Sequence, residues 1–359
     1  MTSNNQACRF KRIISTGVAI CAICVSQSYH SHAKSPRLGL DLGVRTEYVS
    51  NLFNLDEIDR DLFSANMGAG ERFEGMESVD DIRMPLSAEA WARWKIAKKR
   101  YLKLSLLADY NIHLENSIAD YWKFRARIAF DLTRKNSIRL GVRFVPDRFK
   151  KNYKVYTNDP ATYQGGYYDE MRASAEYRYD FGGRNTLGLD YTYADRTYNE
   201  VFSGRDRKQH TIEGNLEKSL SDNVTLMLEA GFGSADTEDD WNVPAYMAGS
   251  SRDRSFNEYL AGAGLNIDLP HRWWIDLGFE YSLRDYTTDN TIDALYYSRQ
   301  DRKLVFSGSV EKRLKNGLDI YVYGEYADKT GSQDLLNTLE GEEGDYTRGI
   351  LGAGLEYGF

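Results

Sequence analysis

The chain has 359 residues, with 46 Lys and Arg against 53 Asp and Glu, a formal charge of −7. An acidic balance argues against nucleic-acid binding in bulk. A mean hydropathy of −0.58, with no 18-residue apolar run beyond the N-terminal segment, excludes helical membrane spans. It leaves room for a membrane barrel, whose alternating strands average to a soluble-looking hydropathy.

Residues 1–33 read as an export signal that is removed. Arg9, Lys11 and Arg12 precede an apolar run from Ile13 to Val25, too short to cross a bilayer, and Ser31-His32-Ala33 is a small-x-small cleavage site. The mature domain then covers 34–359. Cys8, Cys21 and Cys24 are the three cysteines of the chain and all lie in the removed segment, so no disulfide or thiolate chemistry is expected.

Period-two alternation then recurs fourteen times. The apolar members run Leu38–Tyr48, Leu86–Ile96, Leu102–Ile112, Trp122–Leu132, Ile138–Phe144, Met171–Tyr179 and Leu187–Tyr193. The second half continues with Ile212–Leu216, Val224–Phe232, Tyr259–Leu269, Trp273–Leu283, Leu304–Val310, Leu318–Tyr326 and Leu351–Phe359. Most runs have the length a tilted strand needs to cross a bilayer. The many Tyr (26) and Trp (six) beside only six Pro suit such strands with aromatic girdles. The expected fold is all-β: a single up-and-down antiparallel transmembrane barrel of about 14 strands, within 12 to 16.

Connections alternate in length. Those after even strands are short and mostly carry Gly, Asn, Asp or Pro, as turns require. Those after odd strands are long, among them 52–82, 147–166, 196–207, 235–254, 285–301 and 328–346, with 115–119 the short exception. Short periplasmic turns and long extracellular loops are the expected arrangement. The acidic stretches 236–240 and 340–345 read as solvated loop surface.

The uniformly apolar face must meet lipid, so the charged face points into the barrel. On strands two to six that face carries a basic set: Arg93, Lys95, Lys103, Lys123, Arg125, Arg127, Arg139, Arg143, Arg172 and Arg178. On later strands it carries an acidic set including Glu213, Glu229, Glu258, Asp276, Glu280, Glu311, Asp319 and Glu325. One wall is then basic and the opposite wall acidic. Either these charges line a water-filled pore, or they pair across the lumen and with loops and shut it. The three histidines of the mature chain, His113, His210 and His271, do not converge. No nucleophile–base pair stands out, so neither catalysis nor a metal or cofactor site is expected.

The last strand ends on Leu355, Tyr357 and Phe359. This resembles the C-terminal signal of Gram-negative outer-membrane proteins, which the barrel assembly machinery reads. Tyr48-Val-Ser50-Asn51-Leu-Phe53 resembles the Tyr-x-Ser-Asn-x-Phe opening of β-barrel porin families. The strand count is also similar to that of surface-lipoprotein assembly modifiers. These resemblances imply an outer-membrane location, contact with lipid and lipopolysaccharide, and passage of small polar or charged solutes. The alternatives they imply are a non-conducting accessory in lipoprotein or polysaccharide export, or a structural or adhesive surface protein.

Overall fold

The computed structural model describes residues 36–65, 72–155, 162–237, 253–289, 296–314, 317–332 and 344–359. The signal reading of 1–33 and most of the two acidic stretches lie outside them. Fourteen strands form one closed ring in sequence order, every neighbour antiparallel. They are β1 (Arg37–Val49), β2 (Asp81–Ala97), β3 (Arg100–His113), β4 (Tyr121–Asp131), β5 (Asn136–Val155), β6 (Thr162–Gly182) and β7 (Asn185–Tyr198). The second half is β8 (Arg207–Ser219), β9 (Val224–Thr237), β10 (Phe256–Leu269), β11 (Trp273–Tyr286), β12 (Gln300–Arg313), β13 (Leu318–Gly331) and β14 (Tyr346–Gly358).

Closure joins the first strand to the last. Leu42 lies opposite Tyr357, Val44 opposite Leu355 and Tyr48 opposite Leu351. The Phe359 N–H donates to the Leu40 carbonyl at 2.9 Å. Pairing every strand satisfies all ladder groups, which a lone terminal strand would leave open.

The apolar members of each alternation point outward and stay uncovered: Leu106 is 56% exposed, Leu277 48% and Leu351 63%. An apolar belt that continues around every strand is not a water-facing surface. It is the face that lipid covers, and it makes the molecule a transmembrane barrel.

The short turns gather at one end. Gly183 and Arg184 link β6 to β7 with φ of 65° and 62°, between the paired Gly182 and Asn185. Positive φ at both central residues matches the strand twist in a two-residue turn.

The opposite end is where the fold departs from plain alternation. Most of 147–166, expected as a loop, is strand: β5 runs for 20 residues and β6 for 21. Their pairing slips between Val145 and Arg148 and again between Phe149 and Lys151, with Asp147 at φ 45°. Bulges of this kind bend a strand. Beyond the bend the hairpin leans over the mouth. Tyr153 packs against Phe202 at 5.2 Å, and Lys150 lines the same cavity as Lys303 and Lys329. Those two stand on β12 and β13, halfway round the ring from β5.

The connection after β1 packs beneath this hairpin. It holds a helix, α1 (Glu57–Ser64), capped by the Asp56 carboxylate, which accepts from the Asp59 N–H at 2.7 Å. Phe53, Leu55, Phe73, Met76, Ala119 and Phe149 form a buried cluster, with Phe53 edge-on to Phe149 at 5.8 Å. Asn152 donates to the carbonyls of Arg72 and Glu74 at 3.1 and 3.0 Å. Burial raises the Asp56 carboxyl above its usual range, against the pull of Lys151 and Arg72.

Candidate functional site

Inner-facing parity puts both expected charge sets in the lumen. On the basic side, Arg93 stacks over Tyr101 at 3.9 Å, and Lys95 lies opposite Tyr101. Lys103 stands 3.9 Å from Glu89, Lys123 2.6 Å from Asp109 and Arg139 3.5 Å from Glu176. Arg178 pairs with Glu176 and, at 3.2 Å, with Glu217. Glu170 gathers three guanidinium groups, Arg143, Arg172 and Arg196. Arg125 and Arg127 make no ion pair among the described residues.

Two cross-strand rows of like charge follow from the register. Arg125 lies opposite Arg143, and Arg143 opposite Arg172, across β4, β5 and β6. Glu176 lies opposite Asp190, and Asp190 opposite Glu213, across β6, β7 and β8. Like charges directly opposite destabilise a sheet unless they are paired or screened.

On the acidic side, Glu258 pairs with Arg284 at 3.0 Å and accepts from Gln209 at 3.1 Å. Asp276 accepts from Ser309 at 3.2 Å. Arg313 lies 3.8 Å from Glu311 and 2.7 Å from Asp319, and Glu325 is 3.0 Å from Arg348. Glu213, Glu229 and Glu280 make no ion pair among the described residues. All three line a cavity of about 480 Å³. Glu229 lies across Gly262, which faces Glu280 in the register.

The acidic wall is acidic only in its lower part. Arg207, Arg284, Lys303 and Lys329 rim the same cavity towards the long-connection end. A second, smaller cavity of about 70 Å³ sits beside them, lined by Arg205, Arg254 and Arg299 together with Arg196, Arg207 and Arg284. Sequence parity missed this group, because Arg205, Arg254 and Arg299 come from three separate connections outside any alternation. Burial costs Arg299, but the phenol group of Tyr286, the carboxylate of Asp301 and the phenol group of Tyr296 outweigh it and hold the guanidinium above its usual range.

Some lining aromatics were readable from parity. Trp91, between Glu89 and Arg93, faces inward and donates to Asp41 at 3.0 Å. Tyr321 and Tyr323 lie over Gly354 and Gly352, where an added Cβ would meet ring carbons at 2.5 and 2.6 Å. At the closing strand, Leu355 points outward, and the Tyr357 and Phe359 rings meet edge to face at 4.5 Å.

A closed, apolar-belted barrel with a charged interior defines a protein of the outer-membrane β-barrel type. No family model and no curated protein matches the sequence. Among solved structures, it is similar to the anion-selective porin from Comamonas acidovorans, at 11% identity over 91% of this chain and 100% of that one, TM-score 0.43. It is also similar to the outer membrane channel DcaP of Acinetobacter baumannii, at 9% identity over 91% and 97%, TM-score 0.45. A bacterial polysaccharide outer membrane secretin matches at 9% identity over 89% and 98%, TM-score 0.44. The likeness is one of fold.

Proposed function

We propose that the protein is an outer-membrane, porin-like channel for passive diffusion of small polar or charged solutes. The short-turn end faces the periplasm and the long-connection end the outside. The observation that carries the reading is the pair of like-charge rows on the inner face. In a sealed interior, adjacent guanidinium groups such as Arg125 and Arg143 would each need a carboxylate in contact; Arg143 has Glu170 at 2.5 Å, whereas Arg125 makes no ion pair among the described residues. Water supplies the screening instead, and water at that depth means a hydrated lumen. The bent β5–β6 hairpin narrows this lumen without displacing the cavity along β8 to β13.

The terminal Leu355, Tyr357 and Phe359 serve as the assembly signal under this reading, and the belt meets lipid and lipopolysaccharide. The charge sets line the solute path and need no cofactor and no catalytic residue. The test is purified folded barrel in a planar lipid bilayer. Stepwise conductance is expected. A folded barrel that inserts and stays silent at all voltages overturns the channel reading in favour of an export accessory or a structural surface protein.

A further inference from the structure

We propose that the lumen wall at the closing seam is a binding platform for neutral saccharides, a solute class for the channel proposed above and resting on that reading. Where β13, β14, β1 and β2 meet, three inner-facing aromatic rings lie across glycines of the neighbouring strand. Tyr323 occupies the space a side chain at Gly352 would take, Tyr321 that at Gly354 and Trp91 that at Gly39. Gly352 and Gly354 are buried, and the three aromatic residues are partly exposed. A ring seated where a side chain would stand has the sheet on one side and the lumen on the other. Between the tyrosines and Trp91 the floor is low, because Gly43 and Ser87 are cross-strand partners there. From β13 to β2 this trough is three strand spacings wide, or about 14 Å.

The rings are fixed by their polar edges. Trp91 donates to the Asp41 carboxylate at 3.0 Å, and the Tyr323 hydroxyl donates to the buried Glu47 carboxylate. Tyr321 and Tyr323 stand 6.0 Å apart, tilted by 35°. No cation stacks on either tyrosine among the described residues. Tyr101 differs, since Arg93 covers it at 3.9 Å. Lys103 lies more loosely over Trp91, at 5.3 Å. Rings held in place lose little entropy when a solute arrives, which is how preorganisation raises affinity.

A pyranose has an apolar C–H face and a rim of hydroxyl donors. The face sheds water against an aromatic ring, and the rim needs acceptors. Carboxylates border the trough and supply them. Glu356 lies opposite Gly43 and is exposed without an ion pair among the described residues. Asp41 and Glu89 are cross-strand partners beside Trp91. A carboxylate accepts at about four positions, so one bond to Trp91 leaves Asp41 with capacity to spare. Acceptor-only groups also repel anionic solutes. An open-chain polyol brings the hydroxyls without the rigid face, and a planar aromatic solute brings the face without the hydroxyls.

The probes are maltotriose, glucose and the open-chain polyol mannitol. Binding is measured by isothermal titration into the folded full-length barrel. Maltotriose is expected to bind about tenfold more tightly than glucose, and mannitol not at all. The maltotriose affinity should be the same at about 0.1 M and 1 M salt, because the solute is uncharged. Tyr321→Leu keeps apolar bulk over Gly354 without a ring and should weaken maltotriose about tenfold. Tyr321→Phe keeps the ring and should change it by less than about twofold, as should Tyr101→Leu, whose ring is already covered. The heat-induced gel shift checks that each variant folds, and Trp91→Leu, with the same expected loss, stands in if Tyr321→Leu does not.

No maltotriose binding by the wild-type barrel overturns the proposal, as does equal affinity for mannitol. A loss in Tyr321→Phe or Tyr101→Leu equal to that in Tyr321→Leu also overturns it, since the uncovered ring would not be the contact. Conductance is recorded separately on the same preparation. A conducting barrel without maltotriose binding ends this inference alone; maltotriose binding by a silent barrel ends the channel reading alone.

Discussion

Reversing Arg125 and Arg127 to Glu should turn the lumen markedly towards cations. The two side chains face inward from β4 without an ion pair among the described residues, so the change alters the field rather than breaking a pair. Arg125→Glu also removes a like-charge contact with Arg143, so the barrel should fold at least as well. The double reversal shifts the lumen charge by four units. For a permeating ion about 10 Å away in water, each unit contributes about 0.4 kcal/mol before screening. At 0.1 M salt, with a Debye length of about 10 Å, roughly 0.6 kcal/mol survives from all four. Cations gain this and anions lose it, so the cation-to-anion permeability ratio should rise about eightfold. At 1 M salt the Debye length of about 3 Å should cut the change to almost nothing. The assay is the reversal potential across a salt gradient at both ionic strengths. Lys98→Glu with Lys99→Glu, on the exposed turn, serves as a control and should do little. A folded, conducting double variant whose permeability ratio does not move at 0.1 M would refute the placement of these arginines on the ion path.

The other predictions concern the frame. Gly354→Val would drive its Cβ into Tyr321 and should cost about 1–3 kcal/mol; the temperature of the heat-induced gel shift should fall, and adding Tyr321→Ala should restore it. Leu277→Arg on the lipid belt should cost about 2–4 kcal/mol if it sits near the bilayer centre, read by denaturant titration in vesicles. The buried Asp81 carboxylate accepts from the N–H groups of Leu114, Glu115 and Asn116 and from the Asn116 side chain, at 2.8–3.2 Å. Asp81→Ala leaves these donors unmet at about 1–3 kcal/mol each where they stay buried, and protease should cut at 114–120 while the barrel stays closed.

Strand number, order and closure were legible because lipid imposes one rule on every strand. An outward position such as Leu277 or Leu351 must be apolar, its neighbours are free to be polar, and the period survives intact. The rule stops at the membrane edge. Beyond Val145 the β5–β6 hairpin meets no lipid, the bulge at Asp147 shifts its parity, and Phe149, Lys151 and Tyr153 are all buried against other connections. Their pattern reads as a loop because no single face is apolar. The lumen charges were legible by parity, but their pairing was not. Nothing in the spacing says that Glu170 serves Arg143, Arg172 and Arg196 together while Arg125 makes no ion pair among the described residues.

Under the channel reading, the bent hairpin also bears on which charges a solute would meet. It leaves the ring at β5 and β6, packs on the α1 connection and reaches the cavity rimmed by Lys303 and Lys329. Along β7 to β11 the described inner face runs from arginines at the long-connection end to carboxylates below. A solute entering there under the channel reading would pass the arginines first and the carboxylates second, an axial order of charge in addition to the transverse one. Such an order makes the two directions of ion flow unequal, because ions of opposite sign are enriched in series along the path. The wild-type channel should therefore pass unequal currents at equal and opposite voltages in low salt, and Arg205→Gln with Arg207→Gln should reduce the inequality. A symmetric current–voltage curve at 0.1 M salt would mean that this axial order of charge does not govern the ion path.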